Sequence, residues 1–105
     1  ESLNGSPDYV GLDYTMTDCN LKSLKFISKH IGGDLYLFGN KLKSTKYIPS
    51  EFSGHIDLSY NKLPHIIKSN NEYINYIIKN QDDYSIWNDD ESLNINRFNI
   101  MMNDM

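Results

Sequence analysis

The residues able to move protons or hold a cation recur at one offset. Asp13, Asp34 and His55 follow one another at intervals of 21, and Asp57 lies two beyond His55. Were Asp34, His55 and Asp57 to share a face, an imidazole between two carboxylates could act as acid and base or bind a metal. No second histidine falls in register to complete such a site, and His30 and His65 read as hydrogen-bonding groups on turns. Other catalytic patterns are missing. No serine sits in a G-x-S-x-G elbow, and the glycines lack the G-x-G-x-x-G or G-K-S/T context that cradles phosphates. Cys19 has no histidine nearby and no lysine at strand spacing to lower its pKa. Asn4-Gly5-Ser6 matches a glycosylation sequon, but with no secretion signal it reads as chance. The expectation is a non-enzymatic chain with no catalytic residue, metal or cofactor.

What could position these residues is bounded by size and composition. The 105 residues allow one small domain. Fourteen acids against ten basic residues argue against nucleic acid and anionic membranes as partners, which call for a basic excess. No apolar run approaches the ~20 residues of a membrane span, and a lone cysteine requires no oxidising compartment, so the expected location is cytoplasmic. Thirteen asparagines, twelve isoleucines and no alanine fit the codons of an A/T-rich genome and say little of function.

The 21-residue offset extends to whole segments. Leu3 to Ser23, Leu24 to Ser44 and Thr45 to His65 align without gaps. Apolar columns hold Val10, Ile31 and Phe52; Tyr14, Leu35 and Ile56; Met16, Leu37 and Leu58; and Leu21, Leu42 and Leu63. Within a unit the apolar positions lie two apart, as one face of a short strand requires. So short a strand must pair with its copies, in parallel, with glycines at the turns. Cys19, Asn40 and Asn61 form a column two before the last leucine, where a buried asparagine could satisfy backbone groups of neighbouring turns.

The segments GGDLYLFGNKL and SGHIDLSYNKL resemble leucine-rich repeats, whose core is L-x-x-L-x-L-x-x-N/C-x-L. The unit is similar to the short repeats of leucine-rich proteins of large bacteriophages, and the tail from Ile77 loosely resembles the C-terminal end of such proteins. A weaker resemblance is to secreted leucine-rich effectors of bacterial pathogens, whose L-P-x-L-P lead-in is absent. Tyr14 and Cys19 make the first unit irregular, and Thr45 replaces the usual leucine. The expected fold is therefore an α/β solenoid: a short leucine-rich array over residues 1–65 with a small parallel sheet, and a C-terminal helical cap over residues 66–105. The resemblance places the protein in the cytoplasm of an infected bacterium.

In the tail, Tyr73, Ile74, Ile77 and Ile78 predict a helix with Asn70 or Asn71 as N-cap. A second is predicted from Ser92 as N-cap to about Asn103, with Leu93, Phe98, Met101 and Met102 inward and Asp104 ill-placed for the helix dipole. Trp87 reads as a core anchor. Six acids and only Arg97 follow Gln81, a solvated face or an acidic docking surface.

On the outer side of the strands would lie Asp13, Asp34 and His55, then Thr15, Tyr36 and Asp57, then Thr17, Phe38 and Ser59. The expected function is protein–protein interaction through this face, with Thr15, Tyr36, Phe38, His55, Asp57, Ser59 and Tyr60 as contacts. The partner is a host or phage protein; the alternative is a structural or virion assembly component. Glu1-Ser2-Leu3 matches the register of Lys43-Ser44-Thr45, as if a preceding unit ended there, and the strand near Asp13–Thr17 would leave an unpaired edge open to self-association.

Overall fold

The structure, a computed structural model, describes residues 3, 5–50, 52 and 54–105. Asn4 of the sequon, the register positions Glu1 and Ser2, and Ser53 lie outside the described residues.

Five strands of two residues form: β1 (Tyr9–Val10), β2 (Tyr14–Thr15), β3 (His30–Ile31), β4 (Leu35–Tyr36) and β5 (Ile56–Asp57). Pairing among these five strands is parallel and follows the 21-residue offset: Tyr14 lies beside Leu35 and Leu35 beside Ile56, while Tyr9 lies beside His30. One set of bonds repeats between neighbours. The N–H groups of Tyr14, Met16 and Asp18 donate to the carbonyls of Asp34, Tyr36 and Phe38 at 2.8, 2.9 and 3.1 Å. Those of Leu35, Leu37 and Gly39 donate to His55, Asp57 and Ser59 at 2.8, 2.9 and 2.9 Å. Leu21, Leu35, Leu37 and Leu42 are fully buried, and the middle copy is the most enclosed because it has neighbours on both sides.

The asparagine column satisfies the groups these strands leave over. Asn40 Oδ1 accepts from the N–H of Cys19 (2.9 Å) and of Leu21 (3.1 Å), and its Nδ2 donates to the carbonyls of Met16 and Leu37. Asn61 repeats this one register on, accepting from Leu42 N–H at 3.0 Å and donating to Leu37 and Leu58. The Cys19 thiol donates to a nearer carbonyl, Thr17 O, two residues back in the chain.

A turn also recurs at the same offset, closed by Ser6 N–H on Leu3 O (2.9 Å), Ile27 N–H on Leu24 O (2.9 Å) and Ile48 N–H on Thr45 O (3.2 Å). Its third residue has positive φ each time: 93° at Gly5, 72° at Phe26, 78° at Tyr47. Glycine accepts that conformation freely, whereas a side chain raises its energy by roughly 1–2 kcal/mol. Two aromatics nevertheless occupy it.

The expected α/β solenoid with a helical cap is not the architecture found. The described residues form a compact globule of 34 × 24 × 23 Å with two small parallel sheets, of two and three strands, and three helices. The physical reason is proportion. Three strands at ~4.8 Å spacing stack to only about 10 Å, and β1 and β3 form their own sheet, separated from β2 and β4 by the bend at residues 11–13. The rest of the chain then folds against residues 44–48 and rounds the body. Gln81, fully buried, joins the two parts. Its Oε1 accepts from Thr45 Oγ1 (2.7 Å) and Trp87 Nε1 (2.9 Å), and its Nε2 donates to the carbonyls of Thr45 (2.9 Å) and Ile48 (3.2 Å).

The tail helices differ from their sequence-based bounds. They are α1 (His65–Ser69), α2 (Ile74–Asn80) and α3 (Ile95–Asn103), with a 3₁₀ turn over Asn71–Tyr73 between the first two. His65 therefore opens a helix and His30 lies in β3, neither on a turn. Asn70 is not a side-chain N-cap: its Nδ2 donates back to Ile66 O at 2.8 Å, closing α1, and Tyr73 falls on the 3₁₀ turn, exposed. Ile74, Ile77 and Ile78 are buried as expected. Helix α3 starts later than Ser92 because Ser92 is held by Asp90 Oδ1 and Leu93 bridges Trp87. Asn94 is the cap, its side chain accepting from Arg97 N–H at 3.0 Å. Phe98 and Met101 are buried, Met102 and Leu93 half-buried. Asp104, poorly placed for the dipole, accepts from the Tyr84 hydroxyl at 2.8 Å. No helix among the described residues is long and apolar enough to cross a membrane.

Candidate functional site

The outer face of the three-stranded sheet collects most of the side chains chosen from the sequence. Strand register places Thr15 beside Tyr36 and Tyr36 beside Asp57. The next row along is set by the backbone bonds at Phe38 and Ser59. Thr15, His55 and Ser59 are exposed, Phe38 keeps 36% of its surface in water and Tyr60 86%. Tyr36 and Asp57 are half-buried, so Tyr36 is less open than a free strand-face position would be.

Asp34 accounts for that. Its Oδ2 accepts from the Tyr36 hydroxyl at 2.8 Å and its Oδ1 from the His55 backbone N–H at 2.8 Å; Asp13 Oδ1 accepts from Asp34 N–H in the same manner one strand earlier. The two aspartates form a short ladder along the sheet. The glycine before each acceptor strand follows from it: a Cβ on Gly54 would overlap the Asp34 carboxylate, and one on Gly33 the Asp13 carboxylate. The His55 N–H holds the Asp34 carboxyl below its ordinary pKa, helped by the Tyr36 hydroxyl, and the same hydrogen bond raises the pKa of Tyr36.

The proton-transfer or metal arrangement raised by Asp34, His55 and Asp57 is not assembled. Asp34 spends its oxygens on Tyr36 and a backbone amide, and Asp57 Oδ1 accepts from Ser59 N–H at 3.0 Å. Among the described residues no three His, Cys, Asp or Glu side chains gather as metal ligands would. What the face offers instead is a hydrogen-bonded phenol ring, a partly exposed phenyl ring and an exposed tyrosine, edged by His55 and Asp57. Tyr60 is held outward by a φ of 58°, in the column that has Asp18 at 55° and Gly39 at 78°.

Two features escaped sequence reasoning. The aromatics at the glycine position of the recurring turn, Phe26 and Tyr47, lie off this face, each with the preceding lysine 5.4 Å from its ring centroid. Aligning Gly5 with them would have shown the mismatch. Gln81 carried no pattern of its own, although Thr45 in a leucine column signalled a buried polar partner. The acidic stretch partly faces the body: Glu91 accepts from Ser44 Oγ at 2.5 Å and Asp89 lies 3.9 Å from Lys46. A cleft of about 600 Å³ there is lined by Lys46, Trp87, Arg97, Asp82 and Asp89; Lys46 faces Asp89, and the Arg97 guanidinium donates to Ser85 O at 3.3 Å.

No protein family, curated protein or solved structure matches this chain.

Proposed function

We propose that the chain is a non-enzymatic protein-interaction module that grips a partner protein through the outer face of the three-stranded sheet. The observation that supports it best is the Asp34–Tyr36 hydrogen bond at 2.8 Å, which fixes an aromatic ring in the middle of that face beside Phe38. A ring held in place before binding loses little freedom on contact, and central aromatics tend to carry interface energy. Thr15, His55, Asp57, Ser59 and Tyr60 are the polar and aromatic surround. The two open edges of the sheet favour a second reading, a structural or assembly component.

The test is differential capture from cell lysate on immobilised protein. Phe38→Ala and Tyr60→Ala are expected to lose a defined binder that wild type and Phe26→Ala both retain, because Phe26 lies off the face. Identical capture by all four proteins would remove this reading.

A further inference from the structure

We infer that the three-stranded sheet continues from one copy of this chain into the next, the β5 edge of one receiving the β2 edge of another. This concerns the sheet's edges, on which the structural or assembly reading above also draws, and does not depend on partner binding through the outer face. In a parallel ladder, alternate residues direct their backbone groups to opposite sides. Donors at 14, 16 and 18 and at 35, 37 and 39 already meet carbonyls at 34, 36 and 38 and at 55, 57 and 59. The next members of the two series remain. The N–H groups of Ile56, Leu58 and Tyr60 find no acceptor among the described residues. The carbonyls of Asp13 and Thr15 find no donor there, and that of Thr17 holds only the Cys19 thiol, leaving a lone pair. Three donors on one edge thus match three acceptors on the other, in the residue spacing that both internal interfaces use.

The surroundings of the two edges complement each other as well. Beside β5 a cleft of about 570 Å³ is lined by Asp57, Leu58, Tyr60, Leu63, Ile67 and Lys68. Beside β2 lies an apolar cleft of about 420 Å³ bordered by Leu3, Val10, Tyr14 and Met16, the open ends of the core columns. Charge has opposite sign at the two places. Residues 1–21 contain four acids and no lysine or arginine, whereas residues 56–71, β5 and the chain after it, contain Lys62 and Lys68 against the single acid Asp57. A second copy brings the acidic edge to the basic one, so the occupant that fits the donor edge is this chain itself. The contact is heterologous, leaving one edge of each kind open after every addition.

Light scattering on the full chain, in a concentration series up to about 1 mM, is expected to show a mass that keeps rising beyond two copies and falls back with added salt, which screens the charges. Proline blocks one edge at a time, since the N–H groups of Thr15 and Ile56 serve no internal strand bond. Thr15→Pro retains only the donor edge and Ile56→Pro only the acceptor edge. Each is expected to stay monomeric alone, and the two mixed should form a dimer of one copy each. A monomeric wild type at every concentration overturns the inference, as does a mass that stops at two. So does a mixture of the two variants that stays monomeric while both melt cooperatively. Should either proline variant fail to fold, the wild-type mass series decides alone.

Discussion

Gln81 is where one substitution tests most about how this molecule holds together. Its amide makes four hydrogen bonds, to the Thr45 hydroxyl, the Trp87 indole and the carbonyls of Thr45 and Ile48, and it is fully buried. Gln81→Leu fills a similar volume, leaves little room for a replacing water and strands two donors and two acceptors. An unpaired buried polar group costs about 1–3 kcal/mol, and relaxation keeps four from adding fully, so the expected loss is about 3–5 kcal/mol. For a domain of this size that corresponds to a fall in melting temperature of more than about 10 °C. Gln81→Glu separates hydrogen bonding from shape. The introduced carboxyl retains an acceptor for Thr45 and Trp87 but turns its other oxygen toward two carbonyls, which favours its protonated form in the folded state. Its folded pKa is then raised above the unfolded ~4.3. The variant therefore stands closest to wild type below about pH 4 and loses stability as pH rises from there, levelling off once the folded carboxyl ionises. Melting followed by circular dichroism at several pH values is the assay. If Gln81→Leu melts within a degree or two of wild type, or Gln81→Glu gains on wild type as pH rises, the joint between the strands and the tail has been misassigned.

Three further outcomes are expected. Asn40→Ala leaves the Cys19 and Leu21 amides unpaired and should destabilise by about 2–4 kcal/mol in urea, whereas Asn75→Ala, on an exposed position of α2, should be neutral or slightly stabilising. Phe26→Gly relieves positive φ at a half-exposed aromatic and should raise the melting temperature by a few degrees, corresponding to roughly 1 kcal/mol; a lower one would mean that Phe26 packing outweighs its backbone cost. Asp34, whose folded pKa is depressed first by the His55 amide and then by the Tyr36 hydroxyl, contributes stability above its unfolded pKa of about 3.9 that is lost as pH falls through the folded value. The wild-type advantage over Asp34→Asn should shrink on acidification, and an advantage that grows would contradict the ladder.

The strand register was legible in the sequence because parallel copies must place like residues side by side. The 21-residue columns of Leu35, Leu37 and Leu42 could be buried only by stacking on their equivalents. The buried role of Asn40 followed from the same alignment, since an amide among leucines must find backbone groups to pair with. Trp87 as a core anchor was readable because the apolar end of a strand stack needs a large group to cover it, and its ring is indeed buried.

Overall architecture and site chemistry were decided elsewhere. Period reports which neighbours stack but not how many residues of the chain wrap around them, so the repeat pattern alone implied a short capped solenoid where tertiary packing made a globule. Helix starts moved because Ser92 and Asn70 had nearer partners than the amides they were expected to cap. Asp34 and His55 shared a face as the spacing implied, yet it was the Tyr36 hydroxyl and a backbone amide that took the carboxylate. Gln81 met Thr45 across 36 residues through a contact that no local pattern encodes. Local spacing determines which side chains lie in line along a sheet; which polar atoms pair inside the body depends on distances that exist only once the chain has folded.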